Sequence, residues 1–279
     1  MIRCIVFDMD NTLLKLDVDW EKLTREIDLT YFDGKYSHLT PHQFFVAYFS
    51  FLMNRIPKWQ HREMMKRRLE AELAGIPKVL CFPYKGVMKN LHKKYKIGIV
   101  SGNLRKTIIT ALRRCGMYPY IDSIVGIDDV PVSKPSPIPL RMTLKKLRCK
   151  PSDSIYVGDH PDDVRAGIAA GMKTVIVKHS QHFQEYKEAD VKADIVIKSL
   201  FELENAIKKI ETRELEVEKK EQRKLMRARE REMRVAQKKI EKVSKETARS
   251  SEWKKITPTL QLSLQHILDK ISSVFRKKR

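Results

Sequence analysis

The sequence predicts an α/β chain: a mostly parallel sheet with helices on both faces, a helical insert after the first strand, and a long helical C-terminal tail. Three observations predict it. Short apolar runs ending in turn residues recur through the first three-quarters of the chain, with helical patterns between most of them. The stretch 14–82 breaks that rhythm and offers helical patterns with no convincing buried strand. Residues 211–249 contain no Gly or Pro and are dominated by Glu, Lys, Arg, Gln and Ala, the composition of a long solvated helix.

Taken in order, residues 2–7 form the first apolar run; no long apolar segment precedes Asp8, so the start reads as a strand rather than a signal peptide. Helical patterns follow at 19–27, 41–54 and 58–74. An insert at this point suggests a lid over the carboxyl edge of the sheet, the alternative being helices that complete the main core. Its basic residues Arg55, Lys58, Arg62, Lys66, Arg67 and Arg68 read as a solvated helix face, with substrate binding by one of them as the other reading. Further strands are expected at 97–100, 154–157, 174–177 and 194–197, and helices at 85–95, 105–115, 137–148 and 162–170.

The tail holds much of the charge. The 279 residues carry a formal net charge of +21, and residues 205–279 have 23 Lys and Arg against 11 Asp and Glu. Such a surplus favours an anionic partner and says nothing about fold. Three readings stay open for the tail: a solvated mixed-charge helix, salt-sensitive binding of nucleic acid, or docking on an anionic membrane or a protein, including self-association. Leu203, Ile207, Ile210, Val217, Ala236, Ile240 and Val243 make an interrupted apolar seam, a weak coiled-coil pattern. Thr257 and Pro258 can start a final helix with Leu260, Leu264, Ile267, Leu268, Ile271, Val274 and Phe275 on one face. No run approaches the roughly 18 apolar residues of a membrane span. Cys4, Cys81, Cys115 and Cys149 lie far apart with no CxxC pair. They read as buried free thiols in a reducing cytoplasm, without a zinc site or disulfide framework.

The chemistry is concentrated where apolar runs end. Asp8 and Asp10 follow the first run, and carboxylates at the mouth of a buried strand are costly unless a cation compensates them. Gly158-Asp159-His160-Pro161-Asp162-Asp163 repeats the pattern at a second strand end. Asp8, Asp10 and Asp159 together can hold one hard cation, and magnesium suits few protein ligands because it keeps several waters. Ser101-Gly102-Asn103 offers a hydroxyl and backbone amides for phosphate oxygens, and Lys134 offers a counter-charge.

These four segments, in this order, resemble the four motifs of the haloacid dehalogenase superfamily of phosphatases, and the insert resembles the helical cap of phosphoglycolate phosphatase-like members. The resemblance covers about residues 1–205. It implies a Rossmann-like catalytic core from residues 1–13 and 83–205, a cap from 14–82, and an extension from 206–279 that the family does not require. It implies further that Asp8 forms an aspartyl-phosphate and that Asp10 is general acid and base. Thr12, Ser101, Gly102, Asn103 and Lys134 would bind phosphate. Magnesium would be held by the Asp8 carboxylate, the Asp10 carbonyl and Asp159, with Asp163 behind them. The expected activity is magnesium-dependent hydrolysis of a small phosphorylated metabolite. A phosphomutase, a pyrophosphatase, or a scaffold or nucleic-acid-binding protein acting through the tail are the alternatives.

Overall fold

A computed structural model describes residues 1–178 and 183–249, with Leu262, Ser263 and His266 beyond them. The chain divides into two units, Met1–Glu211 and Thr212–Arg279. In chain order the elements are β1 (Cys4–Phe7), β2 (Leu14–Lys15), α1 (Trp20–Phe32), α2 (Pro41–Ala47), α3 (Lys58–Gly75), β3 (Leu80–Cys81) and α4 (Lys85–His92). There follow β4 (Lys96–Val100), α5 (Arg105–Arg114), β5 (Ser123–Val125), α6 (Ile138–Leu147), β6 (Ser154–Gly158), α7 (Pro161–Ala170), β7 (Lys173–Val177), α8 (Phe183–Glu188), β8 (Ile195–Ile197) and α9 (Leu203–Arg249).

The first unit is built on a six-stranded sheet in the order β5-β4-β1-β6-β7-β8, and every neighbouring pair is parallel. β1 lies inside it and is buried on both faces, which is why Cys4-Ile5-Val6-Phe7 is an unbroken apolar run rather than an alternating one. Ile5 and Phe7 pack into one layer with Met88 and Leu91 of α4, Ile108 and Leu112 of α5, and the start of α9. Cys4 and Val6 face the other way, onto Leu140, Leu144 and Leu147 of α6 and Ala166 and Ala170 of α7. From β1 the chain moves to β4 and β5 on one side, then returns to β6, β7 and β8 on the other. That reversal opens a crevice at the carboxyl ends of β1, β4 and β6, where open α/β sheets bind ligands.

The insert is helical, with its own apolar cluster around Phe44, Phe45, Tyr48, Phe49 and Met64. Asp19 caps α1 by accepting the Lys22 N–H, and Thr40 and Gln43 form a reciprocal capping box on α2 with Pro41 at its first position. The expected helix over 41–54 is regular only to Ala47; Tyr48–Leu52 widens to a π turn and Met53–Arg55 tightens to a 3-10 turn. The insert begins and ends in a short antiparallel ladder, Leu14 opposite Cys81 and Lys15 opposite Leu80. These two-residue strands were not expected, because neither is long enough to show a period. β5 also escaped the sequence reading, at three residues.

The cysteine reading needs correction. Cys4 is bonded to Cys149 and Cys81 to Cys115, with Cα separations of 6.4 and 5.4 Å. Sequence separations of 145 and 34 residues concealed both pairs; the first joins β1 to the residue pair after α6, and the second joins β3 to the end of α5. The solvated-face reading of the insert's basic residues also fails at one position: Arg68 is 3% exposed.

α9 is a single helix of 47 residues. Leu203, Ala206, Ile207 and Ile210 are buried in the layer that covers Ile5 and Phe7, whereas Leu215, Val217, Leu225, Met226 and Val235 are more than half exposed. The expected final helix after Thr257 lies outside the described residues but for Leu262, Ser263 and His266. Among the described residues no helix is long and apolar enough to cross a membrane. The change from buried to exposed positions near Glu211 yields a test. A chain ending at Glu211 is expected to unfold at nearly the same denaturant concentration as the full chain. Ending it at Glu202 removes three large buried aliphatic side chains and is expected to cost on the order of 5 kcal/mol, read from urea unfolding curves.

Candidate active site

The crevice is lined by the groups that leave the three central strands. Asp8 follows β1, and its N–H donates to the Val157 carbonyl of the neighbouring strand at 2.8 Å, so the main chain is fixed where the side chain emerges. The chain then turns sharply. Asn11 takes a left-handed conformation (φ 60°), which Asn tolerates better than most residues, and its N–H reaches the Leu14 carbonyl at 2.7 Å. The turn brings Asp10 back toward the entry to the insert, where its Oδ1 accepts the Leu16 N–H at 2.9 Å.

Lys134, from the loop after β5, supplies the positive charge. Its Nζ donates to Asp8 Oδ1 at 2.7 Å, Asp163 Oδ1 at 2.6 Å and the Tyr156 hydroxyl at 3.0 Å. Tyr156 also donates to Asp163 Oδ1 at 3.0 Å. The other oxygen of Asp163 accepts the N–H groups of Asp159 and His160 at 3.1 and 3.0 Å, closing a capping box at the start of α7. This carboxylate lies so close over Gly158 that a Cβ there would collide with it. Asp163 thus holds Lys134 with one oxygen and the Asp159 main chain with the other.

Three ligand oxygens, one each from the buried Asp8, Asp159 and Asp163, lie within 4.8 Å of one another. Buried carboxylates gathered around one ammonium make an all-oxygen donor set that fits a hard divalent cation. The electrostatics say the same. Burial pushes the Asp8 carboxyl up to about 8, Lys134 opposing the rise and the charges of Asp163 and Asp159 adding to it. Burial likewise carries Asp10 up to about 7, partly offset by the Leu16 N–H. For Asp163 burial is outweighed by Lys134, which holds it below the usual carboxylate range. Burial alone would lower Lys134, but Asp163 and Asp8 keep it well above the ordinary lysine value.

The other expected residues arrive at the same crevice. Thr12 is fully buried, and its hydroxyl donates to Asp159 Oδ1 at 3.0 Å, so here it orients that carboxylate. Ser101 donates to Asn103 Oδ1 at 2.9 Å and both are buried, while Gly102 is exposed between them. Asn103 fixes the turn from its main chain, its carbonyl accepting the Ile127 N–H at 3.0 Å. Sequence reasoning missed Tyr156, whose place in an apolar strand gave no sign of a hydroxyl turned toward Lys134. It also missed the insert's contribution: Arg68 donates to the Gly102 carbonyl, and His42 meets Asp162 at 2.9 Å. Helical spacing alone does not say which face of α3 turns inward.

A family model described as haloacid dehalogenase-like hydrolase matches residues 5–177. The chain belongs to the haloacid dehalogenase-like hydrolases. Among members of this family, the pyrophosphatase PpaX of Halalkalibacterium halodurans is 30% identical over 207 residues, covering 72% of this chain and 95% of that protein. The fold of this haloacid dehalogenase-like chain is also similar to two crystal structures. A candidate phosphoglycolate phosphatase from Lactobacillus plantarum aligns with a TM-score of 0.56 at 19% identity, covering 74% of this chain and 99% of that one. An HAD phosphatase from Thermococcus onnurineus aligns with a TM-score of 0.51 at 21% identity, covering 74% and 98%.

The raised carboxyls predict how pH and metal act on stability. Folded Asp8 and Asp10 bind protons more tightly than the unfolded chain, from an ordinary 3.8 up to about 8 and about 7. The metal-free protein is therefore expected to lose stability as pH rises from about 4 toward about 8, because the folded state must then either keep protons the unfolded chain has released or hold buried charge. A divalent cation held among these carboxylates would favour their ionised form, so a rise in melting temperature with magnesium over chelator-treated protein is expected to grow across the same interval. A magnesium shift that is flat or shrinking with pH would contradict the placement of these carboxyls around a cation.

Proposed function

We propose that this haloacid dehalogenase-like hydrolase cleaves a small phosphorylated substrate in two displacements on Asp8, with magnesium as its cofactor. The observation that carries the reading is the Asp8 carboxylate in the crevice of a parallel sheet, bonded to Lys134, with Asp10 two residues along and poised near neutral pH. Residues 14–82 act as a cap over a core formed by residues 1–13 and 83–205.

Asp8 attacks the phosphorus; its new P–O bond forms as the bond to the leaving oxygen breaks. Asp10 in its acid form gives its proton to that leaving oxygen. The resulting Asp10 carboxylate then takes a proton from water, the water oxygen bonds to phosphorus, and Asp8 is released with inorganic phosphate. A group that must serve first as acid and then as base is best placed with a pKa near the working pH, and burial puts Asp10 there. Ser101, the turn amides at Gly102 and Asn103, and Lys134 bind the phosphoryl oxygens; Thr12 keeps Asp159 in place. Asp8, the Asp10 carbonyl and Asp159 would hold magnesium, which supplies positive charge against the dianionic phosphoryl group. Asp163 anchors Lys134 and the Asp159 main chain.

The similarity to PpaX across 95% of that protein favours a phosphoanhydride, inorganic pyrophosphate, alongside phosphate monoesters. Phosphate release from pyrophosphate, phosphoglycolate, sugar phosphates and p-nitrophenyl phosphate, with magnesium and with chelator, tests the reading. Turnover of at least one, dependent on magnesium, is expected; none across the panel from folded protein would defeat it. Asp8→Asn should lower kcat more than about a thousandfold while the melting curve survives. Asp10→Asn should lower it by about a hundredfold to ten-thousandfold, with less effect for p-nitrophenyl phosphate, whose leaving group needs little protonation.

A further inference from the structure

Beyond Glu211, α9 orders its charge around the helix. Lys220, Arg223, Arg227, Arg231, Arg234 and Lys238 follow one another at steps of three or four residues, and all six are exposed. At 3.6 residues per turn, such steps hold them within about a quarter of the helix circumference. Lys242 and Lys245 are exposed and keep the same spacing. At 1.5 Å per residue the row over residues 220–245 runs about 38 Å, with about one cation per turn. Over residues 220–238 the acids fall elsewhere: Glu221 and Glu232 lie on one flank and Glu230 along the other edge.

A mixed-charge helix that is merely solvated gains from opposite charges four residues apart. This row does the reverse. Arg223 and Arg227, Arg227 and Arg231, and Arg234 and Lys238 are like charges at that spacing, which weakens a helix standing alone. An anion repeated along a line removes that repulsion, and a duplex nucleic acid is such a line, with one negative charge for about every 1.7 Å of its axis. The middle of the row is arginine four times over, and the guanidinium fork fits phosphate oxygens. A lipid surface fits less well. The side away from the row carries Leu225 and Met226 but also Gln222 and Arg229, and residues 202–249 contain no aromatic side chain to enter a headgroup layer. The same lack of aromatics removes a platform for stacking unpaired bases.

We propose that this basic row of α9 binds duplex nucleic acid through its phosphates, without reading sequence. The surface lies wholly within the second unit and does not rest on the hydrolytic reading. Each cation of the row that meets a phosphate displaces counterions from the duplex, so affinity falls with salt in proportion to the number of phosphates met. Phosphate contacts carry no sequence information, so duplexes of different sequence bind alike.

Fluorescence anisotropy of the full-length chain with short labelled duplexes of unrelated sequence, DNA and RNA, over a salt series tests the proposal. At least one kind of duplex should bind, whatever its sequence, with log K falling against log salt at a slope of about −4 to −7. Changing Arg227→Gln, Arg231→Gln and Arg234→Gln together should flatten that slope by about 3 and weaken binding by about tenfold or more. Changing Lys219→Gln, Arg229→Gln and Lys239→Gln removes the same charge from positions off the row and should leave the slope nearly unchanged. Circular dichroism checks that both variants keep the helix; if the first does not, Arg231→Gln alone decides, with an expected change in slope of about 1. Equal weakening by the two triple variants assigns binding to bulk charge and overturns the proposal. So does an absence of duplex binding at low salt, or a preference for phosphatidylserine vesicles over duplex in competition, which would make lipid the partner.

Discussion

The structure depends on compensating carboxylates that are gathered out of water. Asp8, Asp159 and Asp163 are all buried at the crevice, and a single ammonium, Lys134, touches two of them. Ionised carboxylates taken out of water are costly without such partners. The surroundings are arranged accordingly: two backbone N–H groups close on Asp163, the Thr12 hydroxyl closes on Asp159, and the Tyr156 hydroxyl fills the remaining side of Lys134. What is left uncompensated is concentrated on Asp8 and Asp10, whose carboxyls are raised to about 8 and about 7. That residual tension is what a divalent cation would relieve.

Much of this was legible in the chain because a parallel sheet writes itself plainly. Strands buried on both faces leave continuous apolar runs, and the residue following each run is delivered to the same edge. Asp8, Ser101 and Asp159 each stand just past such a run, so their convergence could be read without coordinates. Lys134 was harder: Val132-Ser133-Lys134-Pro135 read as a further strand end, whereas Lys134 lies in a loop after the three-residue β5.

The features that stayed hidden share a physical cause: each is set by which way a helix or strand turns, or by pairing over long separations. α3 is basic from Lys58 to Arg68 and carries glutamates beyond, and its charged and apolar residues do not segregate cleanly, so nothing marked Arg68 and Glu72 as the inward pair. Tyr156 in β6 had no polar neighbour to reveal its hydroxyl. The bonds Cys4–Cys149 and Cys81–Cys115 join positions that only the folded chain brings together. The tail as far as Arg249 was read correctly as a helix, but its division into a buried start and an exposed remainder follows from packing against Ile5 and Phe7, not from composition.

The first turn of α7 faces two ways. Asp162 meets His42 of α2, while its neighbour Asp163 grips Lys134 in the crevice. One turn of helix therefore has its outer surface on α2 and its inner surface on the counter-charge. The insert and the ammonium of Lys134 are thus both attached to adjacent residues of one helical turn.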